Sequence, residues 1–235
     1  MSLMTRERWL EAARILGRAP RARRARPAVR PDGGVSARRA ALAALLAFLP
    51  APLPAQWGGF ASLGARYGTT LVSDVIVRPI DVRQAVAPVL AVGLTTPSDG
   101  SWSGEAALDV TFTRLRRDEA GEPVDLDGLT TLSFTVAVRR ALVSGLAARA
   151  GAGALFYRPE REAGVFSAGT PGATPVGLVG LTYAPAAGRR YGLALDLRYD
   201  VHRFITPALR TAGFRESRVV HRIALALRAG IGGAR

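Results

Sequence analysis

The chain has 235 residues, no cysteine, and 32 basic against 18 acidic side chains, a formal net charge of +14. The lack of cysteine excludes disulfide staples, thiol nucleophiles and thiolate metal sites. Residues 1–56 hold 11 arginines and 3 acids, which leaves 21 basic against 15 acidic residues, or +6, for the rest; most of the argument for a nucleic-acid partner goes with that leading segment.

Residues 1–34 carry nine arginines against Glu7, Glu11 and Asp32, together with Pro20, Pro27, Pro31 and Gly33-Gly34. Met4–Leu16 allows a short basic helix, and Ala19–Gly34 is a like-charge, Pro/Gly-rich segment that reads as disordered. The stretch that follows, "VSARRAALAALLAFLPAPLPAQW", has the parts of a secretion signal. Arg38 and Arg39 form a positive start, Ala40–Leu49 an apolar core of ten residues, and Pro50–Pro54 a helix breaker before Ala55. A run of ten is too short to span a bilayer, which takes about 20 residues. We therefore expect residues 35–55 to be a signal peptide cleaved near Ala55, and 56–235 the mature chain. Residues 1–34 then read as an extension from a start assigned too early, with Val35 the true start. A basic nucleic-acid-binding arm and a twin-arginine leader are the alternatives, and the rest of the twin-arginine motif is missing.

Beyond the leader the period is two. Phe60–Ser73 and Ala85–Thr95 are the first candidate strands, and Pro88 inside the second strains that reading. In "EAALDVTFT" Ala106, Leu108, Val110 and Phe112 alternate with Glu105, Ala107, Asp109 and Thr111. In "LSFTVAV" Leu132, Phe134, Val136 and Val138 alternate with Ser133, Thr135, Ala137 and Arg139. Leu146–Tyr157 and Val176–Tyr183 are looser cases, rich in Gly and Ala. In "YGLALDLRYDV" and "HRIALALRAGI" the alternation is again clean. One face bears Leu, Ile, Val and Tyr; the other bears Asp196, Arg198, Asp200, Arg222 and Arg228 among small residues. Eight half-buried strands follow, with no sustained helical period between them.

The connections alternate in length. Those at 74–84, 114–128, 158–175 and 202–217 are long and carry charge, Pro or Gly; those at 96–101, 140–145 and 184–190 are short. Short periplasmic turns and long extracellular loops mark bacterial outer-membrane barrels. The faces agree: bulky aliphatics flanked by Tyr suit lipid, and small residues with a few charges suit a narrow lumen. A soluble lipocalin-like barrel, with its charges outside, is the competing reading.

Leader, eight alternating strands and asymmetric loops together resemble the small outer-membrane barrels of the OmpA, OmpX and OmpW type, over residues 57–235. The resemblance is architectural. It implies an all-β, eight-stranded antiparallel up-and-down transmembrane barrel in a Gram-negative-type outer membrane. Outer-membrane lipid, lipopolysaccharide and the barrel assembly machinery are its implied partners, nucleic acid is not, and a monomer is favoured. Such barrels usually end in an aromatic residue that the assembly machinery reads. Here the end is "AGIGGAR", which implies a degenerate signal or a gene that continues.

No catalytic residue, cofactor or metal is expected. His202 and His221 are the only histidines, and Ser217 and Glu216 before His221 match no known spacing for a nucleophile and base. The informative residues face the lumen. Glu105, Arg139 and Arg149 fall near the periplasmic end, and Arg66 and Asp109 near mid-height. Asp196 is expected to meet Arg222 and Arg228 across the last two strands, with Arg198 on the same face. Buried charges must pair, so these nine residues read as an ion-pair network that plugs the barrel. Phe166, Phe204, Ile205, Leu209 and Phe214 in the last two long loops read as an apolar cap. The expected function is structural or surface interaction; the alternative is a narrow channel for small anionic or hydrophobic solutes.

Overall fold

A computed structural model describes residues 57–75, 79–119, 122–185, 191–212 and 216–231. The leader, the cleavage site near Ala55, Phe214 and the residues after Ile231 lie outside the described residues. The strands are β1 (Gly58–Gly68), β2 (Thr70–Val75), β3 (Pro79–Gln84), β4 (Ala87–Thr95), β5 (Trp102–Glu119), β6 (Glu122–Val143), β7 (Leu146–Pro159), β8 (Thr174–Tyr183), β9 (Tyr191–Phe204) and β10 (Arg218–Ile231), with a single 3-10 turn at Gly164–Phe166 and a short α-helix, α1 (Pro207–Thr211), among the described residues.

Eight of these strands close a ring. Each neighbour in the series β1, β4, β5, β6, β7, β8, β9, β10 pairs antiparallel, and β10 returns to β1 from Gly59↔Ile231 to Gly68↔Arg222. Closure leaves no free edge in the wall, a condition for sitting in lipid, where an unpaired backbone group finds no water. The expected eight strands are therefore present, although the first two are each broken. The first breaks at Thr69, between β1 and β2, and the second at Ala85–Val86, between β3 and β4. On the β5 side the ladder runs from Gln84↔Leu115 to Val89↔Thr111, so one strand has an extra residue there. Pro88 stands beside this irregularity, where a residue without an N–H costs the ladder least.

Two of the four long connections are not loops. Residues 74–84 supply all of β3 and the last two residues of β2, and 114–119 and 122–128 continue β5 and β6, paired out to Glu119↔Glu122. The charged connection expected at 114–128 thus extends two strands over its described residues, because backbone pairing tolerates charge where both faces meet water. Exposed ion pairs bridge its arms, Arg116 to Asp125 at 3.0 Å, and join it to β3, Arg83 to Asp118 at 3.2 Å. The opposite end is tight: Val143 pairs with Leu146, and Gly145 takes φ of +76°, which an L side chain resists.

The faces sort as the alternation requires. Along β5 the outward series is Trp102, Gly104, Ala106, Leu108, Val110 and Phe112, followed by Arg114. Ten residues at about 3.3 Å each, tilted by roughly 40°, span about 25 Å, the height of an outer-membrane apolar band. Leu63, Phe134, Leu195 and Leu227 all point outward and are 60%, 50%, 49% and 55% exposed. Trp102 and Tyr183 stand at the short-turn end of this band, and Tyr67 and Tyr199 at the long-loop end. An apolar, exposed wall around a charged interior excludes the soluble lipocalin-like arrangement, in which the core is the greasy side.

Candidate functional site

The inward residues form three layers between the short turns and the long loops. In the lower layer, Arg149 donates Nη1–H to Glu105 Oε1 (2.8 Å) and Nη2–H to Asp196 Oδ2 (2.6 Å). Arg228 donates to Glu105 Oε2 (2.7 Å), and Thr182 Oγ1 to Asp196 Oδ1 (2.8 Å). The Arg228 guanidinium also lies 3.4 Å from the centre of the Phe60 ring. Room for that ring comes from Gly93, where an added Cβ would sit 2.4 Å from it. Two arginines and two acids balance, and all four are buried.

The middle layer is larger. Arg66 donates to Asp109 Oδ1 (2.5 Å) and Thr111 Oγ1 (2.9 Å). The other oxygen of Asp109 accepts from Arg198 Nη1 (2.9 Å) and from the Ser133 hydroxyl. Asp200 receives Arg198 Nε (2.6 Å) and Arg222 Nη2 (3.1 Å), with Arg66 Nη2 at 3.6 Å. Strands β5 and β9 stand opposite one another in the ring, with three strands between them either way round. The Arg198–Asp109 pair is thus a strut across the full diameter of the lumen.

Above it the interior turns apolar. Tyr157 shares a hydrogen bond with His202 Nε2 and packs edge-on against Phe204, ring centres 5.1 Å apart. Phe166, Phe204 and Leu209 are buried together with Val165, Leu155, Val176 and Val220, and Ile205 packs against them. Local sequence builds this layer from two loops. Thr206 caps α1 by accepting from Leu209 N (3.3 Å), and its hydroxyl donates to the Val165 carbonyl at 2.5 Å, tying the fourth long loop to the third.

Eight of the nine predicted lumen residues make an ion pair. Arg139 does not: it is half-buried at the short-turn mouth, directly opposite Arg149 in register, and Arg149 occupies both nearby carboxylates. Asp196 also differs from expectation. Its cross-strand partner is Ala226, whereas Arg222 is paired in register with Asp200. Asp196 therefore turns to Arg149, and Arg228 reaches Glu105. In so narrow a tube, contacts across the lumen compete equally with contacts between adjacent strands. The predicted nine-residue network does not include Asp200, Ser133, Thr111, Thr182, Tyr157 or His202, which hydrogen-bond within the lumen. Asp200 was within reach, being four residues beyond Asp196 on the same parity. His221, outside the wall, hydrogen-bonds through Nδ1 to the Tyr199 hydroxyl at 2.5 Å, the rings stacked.

No family model and no curated protein matches the chain. Solved structures do resemble it. Neisserial surface protein A aligns with 75% of this chain and 96% of its own at 10% identity and a TM-score of 0.45. The outer membrane protein OprG from Pseudomonas aeruginosa aligns with 76% and 97% at 9% identity and 0.43. Ail, the attachment invasion locus protein of Yersinia pestis, aligns with 74% and 97% at 12% identity and 0.42.

Proposed function

We propose that the protein is a closed outer-membrane barrel that presents its long-loop end to the cell exterior for structural or surface-interaction roles. One observation carries this reading: the Arg198–Asp109 strut crosses the lumen, with ion pairs below it and an apolar layer above it. The outward apolar band would contact outer-membrane lipid and lipopolysaccharide, and insertion would use the barrel assembly machinery. The reading is non-enzymatic and needs no cofactor.

Planar-bilayer recording tests closure. The refolded wild type is expected to pass no steady current, and Asp109→Ala, which removes the strut, to conduct. A steadily conducting wild type would favour the channel for small solutes. Orientation has its own test, because the chain has no cysteine. Ser167→Cys, in the third long loop, is expected to react with a membrane-impermeant maleimide on intact cells. Ser101→Cys, in a short turn, should react only after the outer membrane is permeabilised. The reverse pattern would turn the barrel over.

A further inference from the structure

The two charged layers differ in their arithmetic. The fully buried part of the lower one is neutral, with Arg149 and Arg228 against Glu105 and Asp196, and Arg139 is only half-buried at the open mouth below it. The middle one holds Arg66, Arg198 and Arg222 against Asp109 and Asp200, all with side chains no more than 8% exposed. One positive charge is left over. Arginine does not shed its proton in a protein, and a buried charge without a counter-charge is strongly unfavourable. The acids below, Glu105 and Asp196, are already engaged.

The donors tell the same story. Arg66 Nε, Arg198 Nη2, and Nε and Nη1 of Arg222 are buried without a hydrogen-bond partner among the described residues, as is His202 Nδ1. Toward the short turns the unpartnered atoms are fewer: Arg149 Nε, and Arg139 Nε at the mouth beside it. The three middle arginines converge on one carboxylate, Asp200, and His202 is the next inward residue above it on β9. Apolar side chains close the space overhead.

We infer that the middle layer binds one small monovalent anion of the chloride class, held by Arg222 with help from Arg66, Arg198 and His202. A single negative charge matches the excess, and a compact ion suits an eight-stranded interior filled by side chains. The anion selects the His202 tautomer in which Nε2 accepts from the Tyr157 hydroxyl and Nδ1–H points to the ion. The site depends on charge and geometry rather than on closure, so it stands whether or not the barrel conducts.

Urea unfolding of the refolded barrel in phosphatidylcholine vesicles tests it, with sodium chloride exchanged for sodium gluconate at constant ionic strength. For one site on the folded state, the folding equilibrium constant of the wild type rises about tenfold for each tenfold increase in chloride well above half-saturation. Arg222→Met, which balances the layer at two charges of each sign, loses that dependence. Arg228→Met, in the lower layer, keeps it. The wild-type titration decides even where a variant fails to fold. A wild type indifferent to chloride, or an Arg222→Met variant that still responds, would overturn the site. Current through the wild type, by contrast, would overturn only the closed-barrel reading.

Discussion

The two faces of one wall follow opposite rules. On β9, Leu193, Leu195 and Leu197 point outward and are about half exposed, while Asp196, Arg198 and Asp200 point inward and are at least nine-tenths buried. In a water-soluble barrel the same alternation would be reversed. The outward face needs only to be apolar, so it is built from interchangeable aliphatics and its energy is spread over many residues. The inward face needs specific partners, because each buried charge must find an opposite one at hydrogen-bonding distance. The wall is thus tolerant outside and particular inside.

The largest expected effect lies inside. Asp200→Ala leaves Arg198 and Arg222 without a carboxylate they both use, and breaking one side of a buried pair costs about 3–5 kcal/mol. Urea unfolding in vesicles should show that loss, and a change under about 1 kcal/mol would mean that internal water screens the layer. Outside, Leu195→Arg places a charge in lipid and should cost roughly 2–4 kcal/mol, against near-silence for Leu195→Ile. Equal tolerance of both variants would show that this face never meets hydrocarbon. A gentler probe is Thr182→Val, which deletes the 2.8 Å hydrogen bond to Asp196 and nothing else, for a loss of about 1 kcal/mol. The smallest effect belongs to Arg139→Ala. Inward parity alone would rank it with Arg149; its lack of an ion pair predicts a change within about 0.5 kcal/mol. A loss comparable to that of Arg149→Ala would show that position in the pattern, rather than pairing, sets the energy.

The legible part of the structure was the part with a period. Leu132 to Val138, Tyr191 to Val201 and His221 to Ile231 each declare two faces. With the clean case at Glu105–Thr113 and four looser segments they give eight wall positions before any contact is known, because side-chain direction in a strand is a local property. The illegible part was where backbone pairing continued without that signal. Arg114–Gly128 reads as a loop, being charged on both faces, but water on both sides of a hairpin removes any reason to alternate. The breaks at Thr69 and Ala85–Val86 were hidden for a similar reason: a one-residue irregularity alters the ladder without changing composition.

By itself the sequence determined the count of wall strands, the inward and outward sets, and, among the described residues, the apolar group Phe166, Phe204, Ile205 and Leu209, since each follows from residue type and a period of two. Only the tertiary structure decided the partners. Asp196 takes Arg149 rather than Arg222, Arg228 reaches Glu105, and Arg198 crosses to Asp109, because closing eight strands brings residues from opposite sides of the ring as near as neighbours on adjacent strands. Parity says that a charge points into the lumen. The diameter and stagger of the closed barrel say which charge it meets.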